Sequence, residues 1–506
     1  MTADDTPPRA TSPTSAPNST TDLTLDPADW EAFRALAHRM VDDSIDFLRD
    51  VRERPAWQPI PGAVRDRILH EPLPRAGQGD AATYDDFLHL VRPYPNGNIH
   101  PRFWGWVMGT GTPQSAMADF LASVLNPNVP GLEQAPRYVE QVVVRWLAEA
   151  MGYPPGAGGI LMSGGTMANV LGLAVARRRR AGFDVRTSGG HGVDEPRLTL
   201  YASTEVHGWL AKACDFLGLG TEAFRRVPVD GAFQVDVSAM ARMIAEDRAA
   251  GHQPCCIIGT AGTVQTGATD DLEALADLAA HEGCWFHVDG AFGALAALSP
   301  ETASQVRGMS RADSIAFDLH KWGYLPFGVA CLLTRTDADL VDTFTMQAAY
   351  LQREARGTAG GDAIYFASRG IELTRRFSAL KVWMLFKASG LDLLGAHIAR
   401  NVRQAAYLDA LVRAAPELES LAPTPLNIVN FRYAPAGIAA DRLDPVNREI
   451  LLQLQERGIA VPSGTTIHGR FAIRVAITNH RSTTADFDAL VDGVRTIGAA
   501  LTTPSS

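Results

Sequence analysis

The stretch Ser314-Ile-Ala-Phe-Asp-Leu-His-Lys-Trp-Gly323 decides how the rest of this chain is read. A short apolar run ends in a histidine and then a lysine, Lys321. Upstream, a second apolar run, Cys284-Trp-Phe-His-Val-Asp289, ends in an acid. Short apolar runs bounded by polar turns read as strands buried on both faces. Open α/β sheets hold their ligands at the carboxyl ends of such strands, where Asp289 and Lys321 both fall. Taken singly, Lys321 also reads as a strand-end lysine reaching water, and Asp289 as the cap of the next segment. As a pair at matching strand ends they are much harder to explain by structure alone.

A third part lies further upstream. Met162-Ser-Gly-Gly-Thr-Met-Ala-Asn169 is a glycine turn leading into a helix. Gly164 and Gly165 let the backbone approach an anion, while Ser163 and Thr166 offer hydroxyls at the helix N-terminus. A tight turn with no ligand would carry the same glycines. Thr263, in Gly262-Thr-Val after an apolar run, adds another hydroxyl. His207 follows the run Leu198-Thr-Leu-Tyr201 and opens a helix, where an imidazole either stacks on a flat ring or simply begins the helix half-buried. His320 has the same two readings.

Around these motifs the chain divides readily. Residues 1–25 are rich in Thr, Ser and Pro and compositionally disordered. Residues 26–112 read as a helical arm, with helical patterning from near Asp26-Pro-Ala-Asp29 and a second helix around Tyr84 to Val91. From 113 to 388 a large α/β domain is expected. Its strands are at 198–201, 255–258, 285–288, 314–317 and 329–333, and its helices at 166–180, 206–216, 238–250 and 271–282. That alternation means a mainly parallel sheet. Residues 343–370, with Gly357, Gly360 and Gly361, lose periodicity and read as a mobile lid. A helix at 373–389 leads to a small α+β domain, 389–506, with strand, helix, strand and helix at 426–433, 446–457, 470–478 and 484–500.

Composition sets the outer limits. The 506 residues are 46% apolar and 20% charged, an ordinary globular balance. A net charge of −10 and a pI near 5.7 argue against nucleic acid or an anionic membrane as partner. The basic cluster Arg177 to Arg180 reads as a solvated helix end. Five scattered cysteines without a CxxC pair suggest reduced, buried thiols. No long apolar run and no secretory leader is evident, so a cytoplasmic protein is the expectation.

A lysine for an aldehyde, an acid for a ring nitrogen and a seat for a phosphate are what pyridoxal 5'-phosphate requires of a protein. The run His320-Lys321-Trp322, the turn Asp289-Gly-Ala291 and the turn Ser163-Gly-Gly-Thr-Met-Ala-Asn169 resemble the group II pyridoxal-phosphate amino-acid decarboxylases, which include aromatic-amino-acid, histidine and glutamate decarboxylases. The resemblance extends to Asn98-Ile-His-Pro-Arg-Phe103, Leu373-Thr-Arg-Arg-Phe377, Leu380-Lys-Val-Trp383 and Arg474, spanning residues 30–495. It implies an α/β fold of type I, like aspartate aminotransferase, in a homodimer with swapped N-terminal arms and active sites at the interface. By that pattern Lys321 forms the Schiff base, Asp289 pairs with the ring nitrogen, Ala291 packs under the ring and His207 stacks on its other face. Gly165, Thr166 and Thr263 would hold the phosphate, with Ser163 and His320 among the cofactor contacts.

Departures from the family pattern bear on the substrate. Asp318 stands where many members have Asn, and Trp104-Gly-Trp-Val-Met-Gly109 replaces the Tyr-Phe-Pro-Thr of aromatic decarboxylases. Trp104, Trp106, Val107 and Met108 are candidates for a bulky apolar pocket wall, though core packing would use the same residues. In Arg470-Phe-Ala-Ile-Arg-Val-Ala-Ile-Thr478, period two sets Phe471, Ile473, Val475 and Ile477 on one face and Arg474 on the other. Family relatives use the matching arginine to meet a substrate carboxylate. A lid tyrosine protonates the substrate carbon in decarboxylases. Here gapless alignment falls on Phe366, beside Tyr365, and phenylalanine at that place accompanies oxidative deamination. The expected activity is therefore decarboxylation of an L-amino acid or of a larger molecule with an amino-acid end. The alternatives are an oxidative reaction giving an aldehyde, ammonia and carbon dioxide, and a cofactor-free binding homologue.

Overall fold

The computed structural model describes residues 24–189, 195–345, 356–360 and 364–503. Almost all of the expected disordered tail, and residues 346–355 and 361–363 of the expected lid, lie outside these. Seven strands form the principal sheet: β1 (Gly158–Met162), β2 (Leu198–Ser203), β3 (Phe224–Val227), β4 (Gln253–Thr260), β5 (Trp285–Asp289), β6 (Ser314–Asp318) and β7 (Ala330–Thr334). Their order is β1-β7-β6-β5-β4-β2-β3. β7 runs against both of its neighbours, and every other pairing is parallel. The carboxyl ends of β1, β6, β5, β4 and β2 therefore open on one edge of the sheet. Every residue of β1, β2, β5, β6 and β7 is buried, as expected of strands covered on both faces.

The N-terminal arm contains α1 (Trp30–Arg49), α2 (Gly62–Leu69) and α3 (Asp80–Asp86), and α4 (Pro113–Leu125) and α5 (Ala135–Ala150) lead into β1. Asp29 caps α1, accepting from the Glu31 and Ala32 amides, three residues later than Asp26-Pro27 suggested. Interleaved with the strands are α6 (Gly165–Arg180), α7 (Val185–Ser188), α8 (Trp209–Phe216), α9 (Val237–Ala249), α10 (Leu272–Glu282) and α11 (Asp337–Phe344). α12 (Ala379–Ala414) crosses to a second sheet made of β8 (Leu418–Ser420), β9 (Ile428–Tyr433), β10 (Ser463–Ile467) and β11 (Arg470–Ala476), with α13 (Ala440–Glu456) and α14 (Thr484–Thr502) beside it. This sheet is antiparallel, in the order β10-β11-β9-β8. Phe471, Ile473, Val475 and Ile477 share its core with Phe431 and Phe487, as the alternation predicted.

Two expectations are corrected. The helix predicted over 373–389 begins only at Ala379 and continues to Ala414, broken at Gly390 (φ 74°, ψ 157°). Residues 373–378 stay out of it because Arg375 is drawn inward to a buried ion pair with Glu140 while its amide bonds Asn128 Oδ1. β1 and β3 were not legible as strands. β1 starts with Gly158-Gly159, where a β-carbon on Gly159 would lie 2.6 Å from Val144 Cγ1, and β3 is an edge strand carrying two arginines.

Candidate active site

Asp289 is the last residue of β5 and Asp318 the last of β6, so both carboxylates open on the sheet's carboxyl edge. Lys321 follows β6 by one turn, and its Nζ sits 2.8 Å from Asp318 Oδ2. The β1–α6 turn brings Ser163, Gly165 and Thr166 to the same edge, and the β2–α8 turn brings His207. These residues, with Ala291 and His320, line one cavity of about 750 Å³. Its outer wall includes Trp106 and Val107.

Hydrogen bonding sets the character of each end. Asp289 is buried, with Trp209 Nε1 at 2.6 Å from Oδ2 and Asn169 Nδ2 and the Ala291 amide at 3.3 and 3.1 Å from Oδ1. Asn169 Oδ1 is in turn 2.8 Å from His287 Nε2. At the other end α6 starts at Gly165 with no side chain capping it, so its first amides are free to meet an anion. A β-carbon at Gly165 would lie 2.5 Å from Asp318 Oδ2, so only glycine fits between helix and carboxylate. Asp318 Oδ1 and Thr260 Oγ1 are buried and unpartnered, and both residues line the cavity. His320 Nε2 stands 3.7 Å from Asp318 Oδ1, too far for a hydrogen bond, while its Nδ1 donates to the Val329 carbonyl at 2.9 Å.

Burial pushes the pKa values of His207 and His320 down from the ordinary imidazole value, which favours the neutral rings. Gly109 joins the outer wall to the lysine. A β-carbon there would lie 2.1 Å from the His320 carbonyl oxygen and 2.5 Å from that of Lys321. Trp106 is held at φ 52°, an uncommon conformation for a bulky residue, and its carbonyl accepts from Arg474 Nη1 at 2.8 Å.

Six expected site residues lie away from the cavity lining. Thr263 is fully buried, with its hydroxyl 3.0 Å from Thr266 Oγ1; Gly262 (φ 82°) turns the chain so that Gly262 and Val264 face the cavity instead. Trp104 is core: it stacks on Phe487 and donates to Ser482 Oγ. Met108 packs beside Ala56, Phe103 and Val461. Arg474 lies behind Trp106 and bonds Gln265 O and Ser463 Oγ; its Nη2 has no partner, and burial lowers its pKa to about 10. Phe366 is fully buried in the main core, its ring 5.0 Å from the Arg375 guanidinium carbon, because the inward pull on Arg375 carries the preceding segment with it. Tyr365 instead packs against Gly131. Sequence reasoning missed Trp209, Asn169 and Thr260 as site residues, although Asn169 closes the glycine-turn motif and Trp209 follows His207 by two.

The residues present fit pyridoxal 5'-phosphate. There is a lysine amine, a carboxylate ringed by donors, an uncapped helix N-terminus with room only for glycine, and two unpartnered buried polar atoms facing the same space. Together with the sheet order they define a fold-type-I α/β enzyme. A family model for the pyridoxal-dependent decarboxylase conserved domain matches residues 73–434. An aromatic-L-amino-acid decarboxylase from Bacillus atrophaeus is 33% identical over 463 residues, covering 90% of this chain and 93% of the relative. Tryptophan decarboxylase 1 of Oryza sativa subsp. japonica is 29% identical, covering 90% and 91%. Among solved structures, that of Oryza sativa TDC with PLP and tryptamine matches with a TM-score of 0.86 at 25% identity, over 95% of this chain and 100% of the other.

The chain belongs to the pyridoxal-dependent decarboxylase family. Its cofactor is pyridoxal phosphate, and its reaction is loss of carbon dioxide from an amino acid, as the family match and the relatives show. Rhodiola rosea 4-hydroxyphenylacetaldehyde synthase shares the fold, with a TM-score of 0.84 at 23% identity. Among the described residues no helix is long and apolar enough to cross a membrane.

Proposed function

We propose that this enzyme decarboxylates an L-amino acid with a bulky apolar side chain, of the aromatic kind, and releases the amine. The observation that carries this reading is the outer wall. Trp106, 54% exposed and fixed by Arg474 from behind, stands beside Val107, with Phe327 also on the lining. Among the described lining residues the acids are Asp289 and Asp318, both engaged at the cofactor end, so nothing there matches a charged side chain. The relatives named as aromatic-amino-acid and tryptophan decarboxylases point the same way.

In this reading Lys321 holds the cofactor aldehyde, Asp289 accepts from the ring nitrogen, and Ala291 and neutral His207 border the ring. Gly165, Thr166, Ser163 and His320 surround the phosphate. The bound cofactor supplies a sink for the electron pair left when the bond to the carboxylate breaks. Thr263, Trp104 and Met108 serve as structure, and Arg474 acts by holding the Trp106 carbonyl. Tyr365, which packs against Gly131 off the lining, is proposed as the acid that returns a proton to the substrate carbon, and it reaches that carbon only if its segment moves. With Phe366 in the core, the oxidative route loses the residue that suggested it.

The assembly proposed is a homodimer: none of the 20 residues of α1 is buried, and Phe120, Leu121, Val124 and Leu125 expose apolar surface on α4. Two main cores support a large domain over 113–388 and a small one over 389–506, although the larger core also takes in Leu394 and Ile398 beyond the break in α12 at Gly390. Five free, buried cysteines favour a reducing compartment such as the cytoplasm. The test is product analysis under air with a panel of aromatic, aliphatic and charged L-amino acids. Carbon dioxide and amine in equal amounts from the aromatic members is the expected result. Aldehyde with peroxide and ammonia, or preference for a charged substrate, would overturn the reading.

A further inference from the structure

Behind Asp289 runs a buried line of polar groups that the reaction itself never touches. Trp285 Nε1 donates to Ser314 Oγ at 2.8 Å, and Ser314 Oγ is also 2.8 Å from His287 Nδ1. His287 Nε2 is 2.8 Å from Asn169 Oδ1, and Asn169 Nδ2 is 3.3 Å from Asp289 Oδ1. The directions of the hydrogens follow from the ends. Indole only donates and a carboxylate only accepts, so the Asn169 amide must turn its nitrogen to Asp289 and its oxygen to His287. His287 Nε2 therefore carries a hydrogen. Complete burial pushes the His287 pKa down to about 3, so the ring is neutral and its Nδ1 is bare. The Ser314 hydroxyl must donate to that nitrogen. Every hydrogen in the line points toward Asp289.

The second oxygen is met in the same way, by Trp209 Nε1 at 2.6 Å. With the Ala291 amide, three donors and no acceptor surround the carboxylate. A hydrogen on Asp289 would have to displace one of them. Room for the line is built into α6, since a β-carbon on Gly172 would lie 2.7 Å from His287 Cε1.

We infer that Trp209, Asn169 and His287 are positioning residues that lock Asp289 as a pure acceptor, so that it can receive a ring N–H and cannot offer a hydrogen of its own. The inference rests on Asp289 meeting the cofactor's ring nitrogen. Its test compares pyridoxal 5'-phosphate with the 1-deaza analogue, in which carbon replaces that nitrogen. Apoprotein is titrated with each compound, for the native chain, Trp209→Phe and, as a second variant in case the first fails to fold, Asn169→Leu.

The expected result for either variant is a loss on the order of tenfold in affinity for pyridoxal phosphate, the size of one hydrogen bond to a charged group. Affinity for the deaza analogue should change less than twofold. With substrate, kcat should fall while KM holds, and the absorbance of bound pyridoxal phosphate should shift. Equal losses with both compounds would reduce these residues to packing, and no loss with either would also overturn the proposal. A native chain that binds both compounds equally would instead remove the premise about Asp289.

Discussion

The two ends of the cavity are built on opposite plans. At Asp289 both carboxylate oxygens have partners, and those partners run back into the core, so the carboxylate is satisfied by the polypeptide alone. Around Lys321 the helix α6 is uncapped, Asp318 Oδ1 is orphaned, and the lysine itself is paired with a neighbouring acid. Unsatisfied buried polar groups are costly, so an orphaned carboxylate oxygen beside an uncapped helix N-terminus suits that end to a charged group. The Asp289 end fixes an orientation, and the Lys321 end offers the seat for a charge.

The sharpest way to break this contrast is Lys321→Ala. Removing the amine at the Lys321 end should abolish turnover while the purified protein keeps its native circular dichroism. Turnover near the native rate would end the assignment. Gly165→Ala should come next. Its methyl would collide with Asp318 Oδ2, an overpacking of about 1–3 kcal/mol, or roughly 5- to 150-fold in cofactor affinity. The loss should be seen with pyridoxal 5'-phosphate and its deaza analogue alike and should shrink with phosphate-free pyridoxal. A loss of equal size for pyridoxal would show that the helix N-terminus does not seat the phosphate.

The smallest effect belongs to the Asp289 end and concerns stability. The pKa of His287 falls from the ordinary 6.5 to about 3 on folding, so the unfolded chain takes up a proton that the folded chain refuses. Its contribution is therefore full above pH 6.5 and is lost as pH drops toward 3, by about 1.4 kcal/mol per unit. His480 and His100, lowered to about 4 by burial, act in the same sense. Urea midpoints measured from pH 7 to pH 5 should fall steadily, and less steeply in His287→Gln. Identical slopes would mean that His287 is already protonated in the folded protein.

How much of this was legible in the chain depends on how local each signal is. Lys321 and Asp289 could be brought together because Asp289 ends one apolar strand and Lys321 follows another by a single turn; alternation gave the face of Arg474 but not its place behind Trp106. Trp209 and Asn169 could not, because their contact with Asp289 depends on α6 and α8 being brought to the carboxyl end of β5. Thr263 and Phe366 lie off the cavity lining for a related reason. Position in the chain suggested proximity, but the turn at Gly262 and the buried Arg375–Glu140 pair redirect those side chains. Trp104 and Met108 were read as wall or core, and both went to core.

Gly109 carries a consequence for how this enzyme can diversify. The segment that bears Trp106 and Val107 rests on the carbonyls of His320 and Lys321 with no space for one methyl group. The same segment is tied to β11 and the residues just after it through the Ala476 amide to Trp104 O and the Thr478 hydroxyl to Met108 O. The backbone of this wall cannot shift toward His320 and Lys321, and on the proposed reading it cannot retreat for a larger substrate without disturbing Lys321. Descendants of this chain with new substrate preferences should therefore differ in the side chains at 106 and 107, while the backbone there keeps its length.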